Sequence, residues 1–398
     1  MKINSIFKNA LVLFFFVLGG FSYSQTYVPE YASIVNQCSE AGILTNLTQF
    51  ENLGIKYRGT AAQANALNWL KDKYASYGYL TSQIQEDPYS YSGSTCKNLI
   101  ITKTGTLYPN TYVIIDAHYD TLNGPGANDN GSGTTLLLEI ARLLVDVPTE
   151  YSVRFIHFSG EEDGLKGSNH YVNEVVNATN PKMNIRLIFN IDQVGGVAGA
   201  NNTAVTCERD LSSPSSNNAA SNTFTNQLRN CVGLYSTLTA NLSNAYSSDY
   251  VPFENNNEII TGLYEANEST HPHSPTDLIV NMDPNYLYKV TQAAIGAALH
   301  FAVACTNCNL SLKENLTENF NVKLYPNPAK DSINIDKGKI DKGYTFSLIN
   351  SNGQTVISKY IDQPKQTETL PIGGISSGLY HAIIESQGKK IVKKISVE

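Results

Sequence analysis

The chain has 398 residues, 41% of them hydrophobic and 16% charged, which suits two or three packed domains and excludes wholesale disorder. Lys and Arg number 28 against 35 Asp and Glu, a formal charge of −7, so no broad basic surface exists for non-specific nucleic-acid binding. Only the N-terminus holds an apolar run near membrane length, which excludes a polytopic membrane protein.

That run reads as an export signal. Lys2 and Lys8 flank the start of Ala10–Phe21, an apolar stretch too short to span a bilayer, and Ser22 and Ser24 precede a cut before Gln25. Residues 1–24 are expected to be a signal peptide rather than an anchor helix, so the protein is exported, to be secreted or held at the cell surface. Export puts six cysteines, at 38, 96, 207, 231, 305 and 308, in an oxidising compartment, where they allow 15 disulfide pairings. Cys305 and Cys308 suggest a local bridge, since no second pair completes a zinc knuckle.

The next segment, 25–305, alternates helices and strands. Ala62–Tyr77 reads as an amphipathic helix, with Leu67, Leu70 and Tyr74 at helical spacing. Apolar runs at Asn98–Thr102, Tyr112–Ala117, Val153–Phe158 and Ile185–Ile191 suit strands buried on both faces. Helical stretches intervene at Gly133–Leu144 and Gly167–Val176, and a last one covers Asn285–Val303. The fold class expected is α/β, a three-layer sandwich around a mostly parallel or mixed sheet, with any site beyond the carboxyl ends of the strands. A polar linker over 306–319 leads to a small β-sandwich at 320–398, with strands at Val322–Tyr325, Ser332–Ile335, Thr345–Ile349, Thr355–Ile357, Leu379–Ile384 and Lys390–Val397. Turn signals Asn352-Gly353, Ser377-Gly378 and Gln387-Gly388 separate them. Charge marks the division: residues 25–312 carry −12 and residues 313–398 carry +3.

Polar residues gather just after three of the strands. The first ends in His118-Tyr119-Asp120, where period-two geometry sends both polar side chains to one side and lets Asp120 accept the imidazole N–H. Asp129 follows in a glycine-rich loop, where it would serve either as a ligand or as a helix cap. The second strand ends in Glu161-Glu162-Asp163, a solvated loop unless it binds cations. The third ends at Asp192. His273 comes from a later loop, with His271 as its rival. Imidazole and carboxylate without thiolate suit catalytic Zn²⁺. Two ions would need a bridging carboxylate. His118, Asp192 and bridging Asp129 would serve one ion, and Glu162, His273 and the same Asp129 the other. Glu161 is then left over as general base.

These motifs, His118-Tyr-Asp120-Thr, Gly126-Ala-Asn-Asp129-Asn-Gly-Ser-Gly133, Ser159-Gly-Glu161-Glu162-Asp-Gly-Leu-Lys-Gly-Ser168, Asn190-Ile-Asp192 and His273-Ser-Pro-Thr-Asp277, resemble in order those of the co-catalytic zinc aminopeptidases, metallopeptidase family twenty-eight. The resemblance covers roughly residues 40–305. It implies the same ligand set, two Zn²⁺ per chain, Glu161 as base, Asp120 behind His118, and cleavage at the free N-terminus of a peptide or protein; the catalytic domain is expected to be monomeric. Two positions depart: Tyr250 stands where many relatives carry His, and Gln193 where a hydrophobic residue is frequent. Tyr246, Phe253 and Tyr264 are expected around a specificity pocket; His157, His170 and His300 are read as core or surface residues. Leu324-Tyr-Pro-Asn-Pro328, Gly378-Leu-Tyr380 and the Lys-rich ending resemble the C-terminal sorting domain read by the type IX secretion machinery, implying that machinery as a partner and passage through the periplasm. The competing functions are a carboxypeptidase or glutaminyl-cyclase-like enzyme on the same zinc site, and a non-catalytic surface binding protein. No arginine is evident near the motifs to hold a substrate carboxylate.

Overall fold

Helices and strands alternate from Pro29 to Phe301 in the computed structural model, which describes residues 25–245, 247–305, 322–350, 355–386 and 389–398. Helices α1 (Pro29–Val35), α2 (Glu40–Asn52) and α3 (Ala61–Ser76) come first. Thr60 caps α3 by accepting the Gln63 N–H, and Ala66, Leu67, Leu70 and Tyr74 form its buried face. A hairpin of β1 (Ile84–Tyr91) and β2 (Ser94–Lys103) follows, then β3 (Tyr108–His118), α4 (Gly131–Leu144), β4 (Tyr151–Phe158) and α5 (Lys166–Tyr171). The rest of this unit is β5 (Asn184–Ile191), β6 (Ala204–Arg209), α6 (Asn218–Tyr235), β7 (Thr239–Asn244), α7 (Val251–Asn255), β8 (Ile260–Glu265) and α8 (Pro284–Phe301). The helix expected over Gly167–Val176 is split, α5 giving way to a wider π turn at Val172–Val176.

The sheet has the order β1-β2-β4-β3-β5-β8-β6-β7. It is parallel through β4-β3-β5-β8 and between β6 and β7, and antiparallel at β1–β2, β2–β4 and β6–β8. Alternate residues of β3 serve two cores. Val113, Ile115 and Ala117 pack with Leu137 and Ile140 of α4 and Ala294 of α8, while Ile114 packs with Ile156, Phe158, Tyr171 and Phe253 beneath α5 and α7. Helices therefore cover both faces, giving the expected three-layer α/β sandwich around a mixed sheet. Because β4 and β5 flank β3 on opposite sides, the chain turns both ways from β3. That leaves a crevice beyond the carboxyl ends of these three strands.

A second compact unit begins at Asn307. Its strands are β9 (Lys323–Tyr325), β10 (Ser332–Asp336), β11 (Tyr344–Ile349), β12 (Thr355–Ile361), β13 (Thr367–Pro371), β14 (Gly378–Ser386) and β15 (Lys389–Val397). They form the sheets β13-β10-β9 and β12-β11-β14-β15, with a core that includes Ile333, Ile335, Phe346, Leu348, Ile384 and Ile395. The expected signal peptide, the linker, Cys308, and the Asn352-Gly353 and Gln387-Gly388 turns lie outside the described residues. Cys38, Cys96, Cys207 and Cys231 are buried free thiols, so none of these four joins the disulfide framework expected of an exported chain. No helix among the described residues is long and apolar enough to cross a membrane.

Candidate metal centre

The ends of β3, β4 and β5 and two loops converge on one cluster. His118 closes β3, and its Nε2 lies 3.4 Å from both Asp129 Oδ1 and Asp192 Oδ1. His273 Nε2 lies 3.0 Å from Asp129 Oδ2 and 2.9 Å from Glu162 Oε2. Two overlapping triads result, His118–Asp129–Asp192 and Asp129–Glu162–His273, each compact enough to place its donor atoms around one ion. They share Asp129. His118 Nε2, Asp129 Oδ2, Glu162 Oε1 and Asp192 Oδ1 are buried and make no aligned hydrogen bond, a costly state for protein alone and the expected one for atoms that face a cation. The ligand types and these orphaned atoms fit zinc.

The supports are local and specific. Asn130, not Asp129, caps α4: its side chain accepts the Gly133 N–H at 2.9 Å and donates to the Ile191 carbonyl at 2.9 Å. A Cβ on Gly133 would lie 2.5 Å from that carbonyl, so glycine lets α4 start hard against the end of β5. Asp120 carboxylate oxygens accept the backbone N–H groups of Glu161 (3.3 Å) and Glu162 (3.2 Å), tying the end of β3 to the acidic turn after β4. His118 Nδ1 meets the Asp120 carbonyl at 3.2 Å, with the carboxylate farther away at 3.7 Å. Ser248 donates to Asp192 Oδ2 at 2.7 Å. His273 sits at φ +57°, a left-handed backbone uncommon for any residue but glycine.

Electrostatics carry the same message. Burial drives the Glu161 carboxyl well above its ordinary pKa, with Asp192, Asp249 and Asp120 adding to the rise against His118. Burial and then Asp129 push Glu162 up to about 9. Asp129 goes the other way, to about 2: burial would raise it, but the imidazoles of His118 and His273 beside it hold the carboxyl down. The cluster holds more negative charge than the protein around it neutralises.

Of the other sequence readings, Tyr264 and Gln193 line the cleft together with Glu161 and the cluster. Phe253 does not. It is fully buried against Phe158 and Tyr171, so it belongs to the core. Tyr246 lies outside the described residues. Tyr250 is buried and donates to Glu208 at 2.9 Å. His271 bonds Thr276, His170 meets Asp87, and His157 and His300 pair with Tyr74 and Tyr235. Sequence reasoning passed over Asp277, whose carboxylate accepts the N–H groups of Asn128 (2.8 Å) and Asp129 (2.9 Å). It also passed over Glu265, which accepts from the Asn128 amide and from Gly196, and Lys56, whose buried ammonium donates to the carbonyls of Phe50, Gly54 and Pro125. An arginine does stand beside the motifs: Arg58 pairs with Asp163, so its charge is already engaged. Asp277 was in plain view in the His273 motif; the others carried no local signal.

Residues 98–298, about half of the chain, match the profile of Peptidase family M28. The chain belongs to that family. Within it, Aminopeptidase YwaD of Bacillus subtilis is 42% identical over 108 residues, 27% of this chain and 23% of that protein. The chain thus spans under a quarter of the length of the curated relatives matched first. Two solved structures share the M28 fold. The Legionella pneumophila LapA aminopeptidase matches with a TM-score of 0.59 at 20% identity, over 70% of this chain and 77% of LapA. A Bacteroides thetaiotaomicron glutaminyl cyclase bound to N-acetylhistamine matches with a TM-score of 0.53 at 18% identity, over 66% and 97%. Fold alone therefore leaves the reaction open, and the site has to argue it. Residues 323–398 match the secretion system C-terminal sorting domain.

Proposed function

We propose that this M28 chain is an exported aminopeptidase that holds two zinc ions and removes the N-terminal residue of peptides. The observation that carries the reading is the pair of overlapping triads joined at Asp129. His118, Asp129 and Asp192 would hold one ion, and Asp129, Glu162 and His273 the other. Zinc bound there would polarise the scissile carbonyl and supply a nucleophilic water near neutral pH. Glu161 would take the proton of that water and pass it to the leaving amine, a transfer typically worth about 10²–10⁴ in rate. Asp120 would orient the acidic turn through the Glu161 and Glu162 N–H groups. No lysine or arginine is among the residues described as lining the cleft, which favours a substrate ammonium over a substrate carboxylate and so argues against a carboxypeptidase. The C-terminal unit would direct the chain through type IX secretion, after removal of residues 1–24.

The test is a leucyl peptide assayed with its N-terminus free and acetylated, by the zinc-supplied protein and by its Glu161→Gln variant. Cleavage of the free form only, lowered about 10²–10⁴-fold in the variant at unchanged zinc content, is expected. Equal cleavage of both forms, or full turnover by the variant, would refute it.

A further inference from the structure

The cleft that opens over the cluster has a volume of about 490 Å³, and much of its lining outside the cluster is polar. Gln193, Ser247, Tyr264, Glu268 and Thr270 line it; among the described lining residues Leu165 is the one branched aliphatic. Among the described residues, the Tyr264 hydroxyl has one proton to offer to both Gln193 Oε1 at 3.4 Å and Glu268 Oε1 at 3.3 Å. Both contacts are long, and one proton cannot satisfy both oxygens, so a donor arriving from a ligand gains a bond without displacing a good one. Gln193 is held by the backbone that follows Asp192, at φ +45°. Glu268 lies on the loop after β8 that also carries His273, five residues before it. The acceptors are thus anchored to the same two segments as two of the cluster's side chains. No lysine or arginine in the described lining competes for them.

Resting on the aminopeptidase reading, we infer that this polar lining receives the side chain of a lysyl or arginyl N-terminal residue, with Glu268 as its counter-ion and Gln193 as a second acceptor. A leucyl side chain against the same lining would strip water from Gln193 and Glu268 and return no hydrogen bond. Glu268 is exposed, so the attraction is screened by salt.

The full zinc-supplied chain, with bound zinc measured, would be assayed on lysyl-, arginyl-, leucyl- and glutamyl-4-nitroanilide. Lysyl and arginyl substrates are expected to exceed leucyl about tenfold in kcat/KM, with glutamyl poorest, and the lysyl-to-leucyl ratio should fall as salt is raised. Glu268→Gln should lower that ratio about tenfold. A wild-type preference for leucyl overturns the inference and leaves the aminopeptidase standing. So does a Glu268→Gln variant that lowers all substrates alike, because the carboxylate would then serve the α-ammonium they share. Release from none of the four by zinc-loaded protein overturns the aminopeptidase reading and the inference with it.

Discussion

His157 stands inside β4 with Nε2 2.9 Å from the Tyr74 hydroxyl of α3 and Nδ1 buried without a partner. Burial alone pushes its pKa down to about 3. In the unfolded chain it titrates near 6.5. Between those values the unfolded state binds a proton that the folded state refuses, so stability falls as pH drops from about 6.5 toward 3, by up to about 1.4 kcal/mol per pH unit. His157→Gln keeps a polar group for Tyr74 and removes the titration. Its melting temperature is therefore expected to fall less steeply than that of the wild type between pH 6.5 and 4.5. Parallel curves for the two proteins would assign the acid sensitivity elsewhere. The same position shows why a histidine in a strand is weak evidence for metal. It lies one residue before the end of the strand whose next turn holds Glu161 and Glu162, yet it belongs to the core.

Loops acquire their geometry from contacts that no local pattern announces. The Asp277 carboxylate closes on the N–H groups of Asn128 and Asp129, joining the loop of His273 to the loop of the shared Asp129 through backbone rather than through metal. Asp277→Ala leaves those two N–H groups buried and unpaired, a cost of about 1–3 kcal/mol each. A lower melting temperature and substoichiometric zinc after dialysis are expected; unchanged values of both would show that the loops hold each other by other means. The elements that were legible in the sequence are those whose burial is apolar. Strands β3, β4 and β5 read as hydrophobic runs because both their faces are covered. Helix α6 went unread because Ser221 and Thr225 stand in its buried face, where they hydrogen-bond the carbonyls of Ile260 and Glu208 instead of packing as hydrophobes. Strand β1 went unread because it is an edge strand carrying Gln85, Glu86, Asp87 and Pro88. The cluster itself was visible from residue type and position at strand ends. Glu265 acts on an amide well over a hundred residues away, which leaves no trace in spacing, whereas Asp277 stood in the His273 motif and only its distant backbone partners were hidden.

Across the whole chain, chemistry and sorting are separated by construction. Every residue of the cluster falls before Thr306, where the first compact unit ends, and the profile of the sorting domain begins at residue 323. The hydrophobic clusters respect the same division: those around β3 draw on residues up to Ala304, and the one in the tail begins at Val322. Each unit thus has its own apolar interior, the main requirement for cooperative unfolding by itself. Calorimetry of the full chain is expected to show two transitions. Residues 25–306 produced alone should reproduce one of them and hydrolyse peptides with the kcat/KM of the full chain. The net charge of −12 on residues 25–312 against +3 on residues 313–398 adds a control, because an electrostatic dependence of one unit on the other would weaken with salt. A single transition that splits only at high salt, or a truncated protein that melts earlier and turns over more slowly, would show that the catalytic unit draws stability from the tail. The tail would then be part of the enzyme rather than its address.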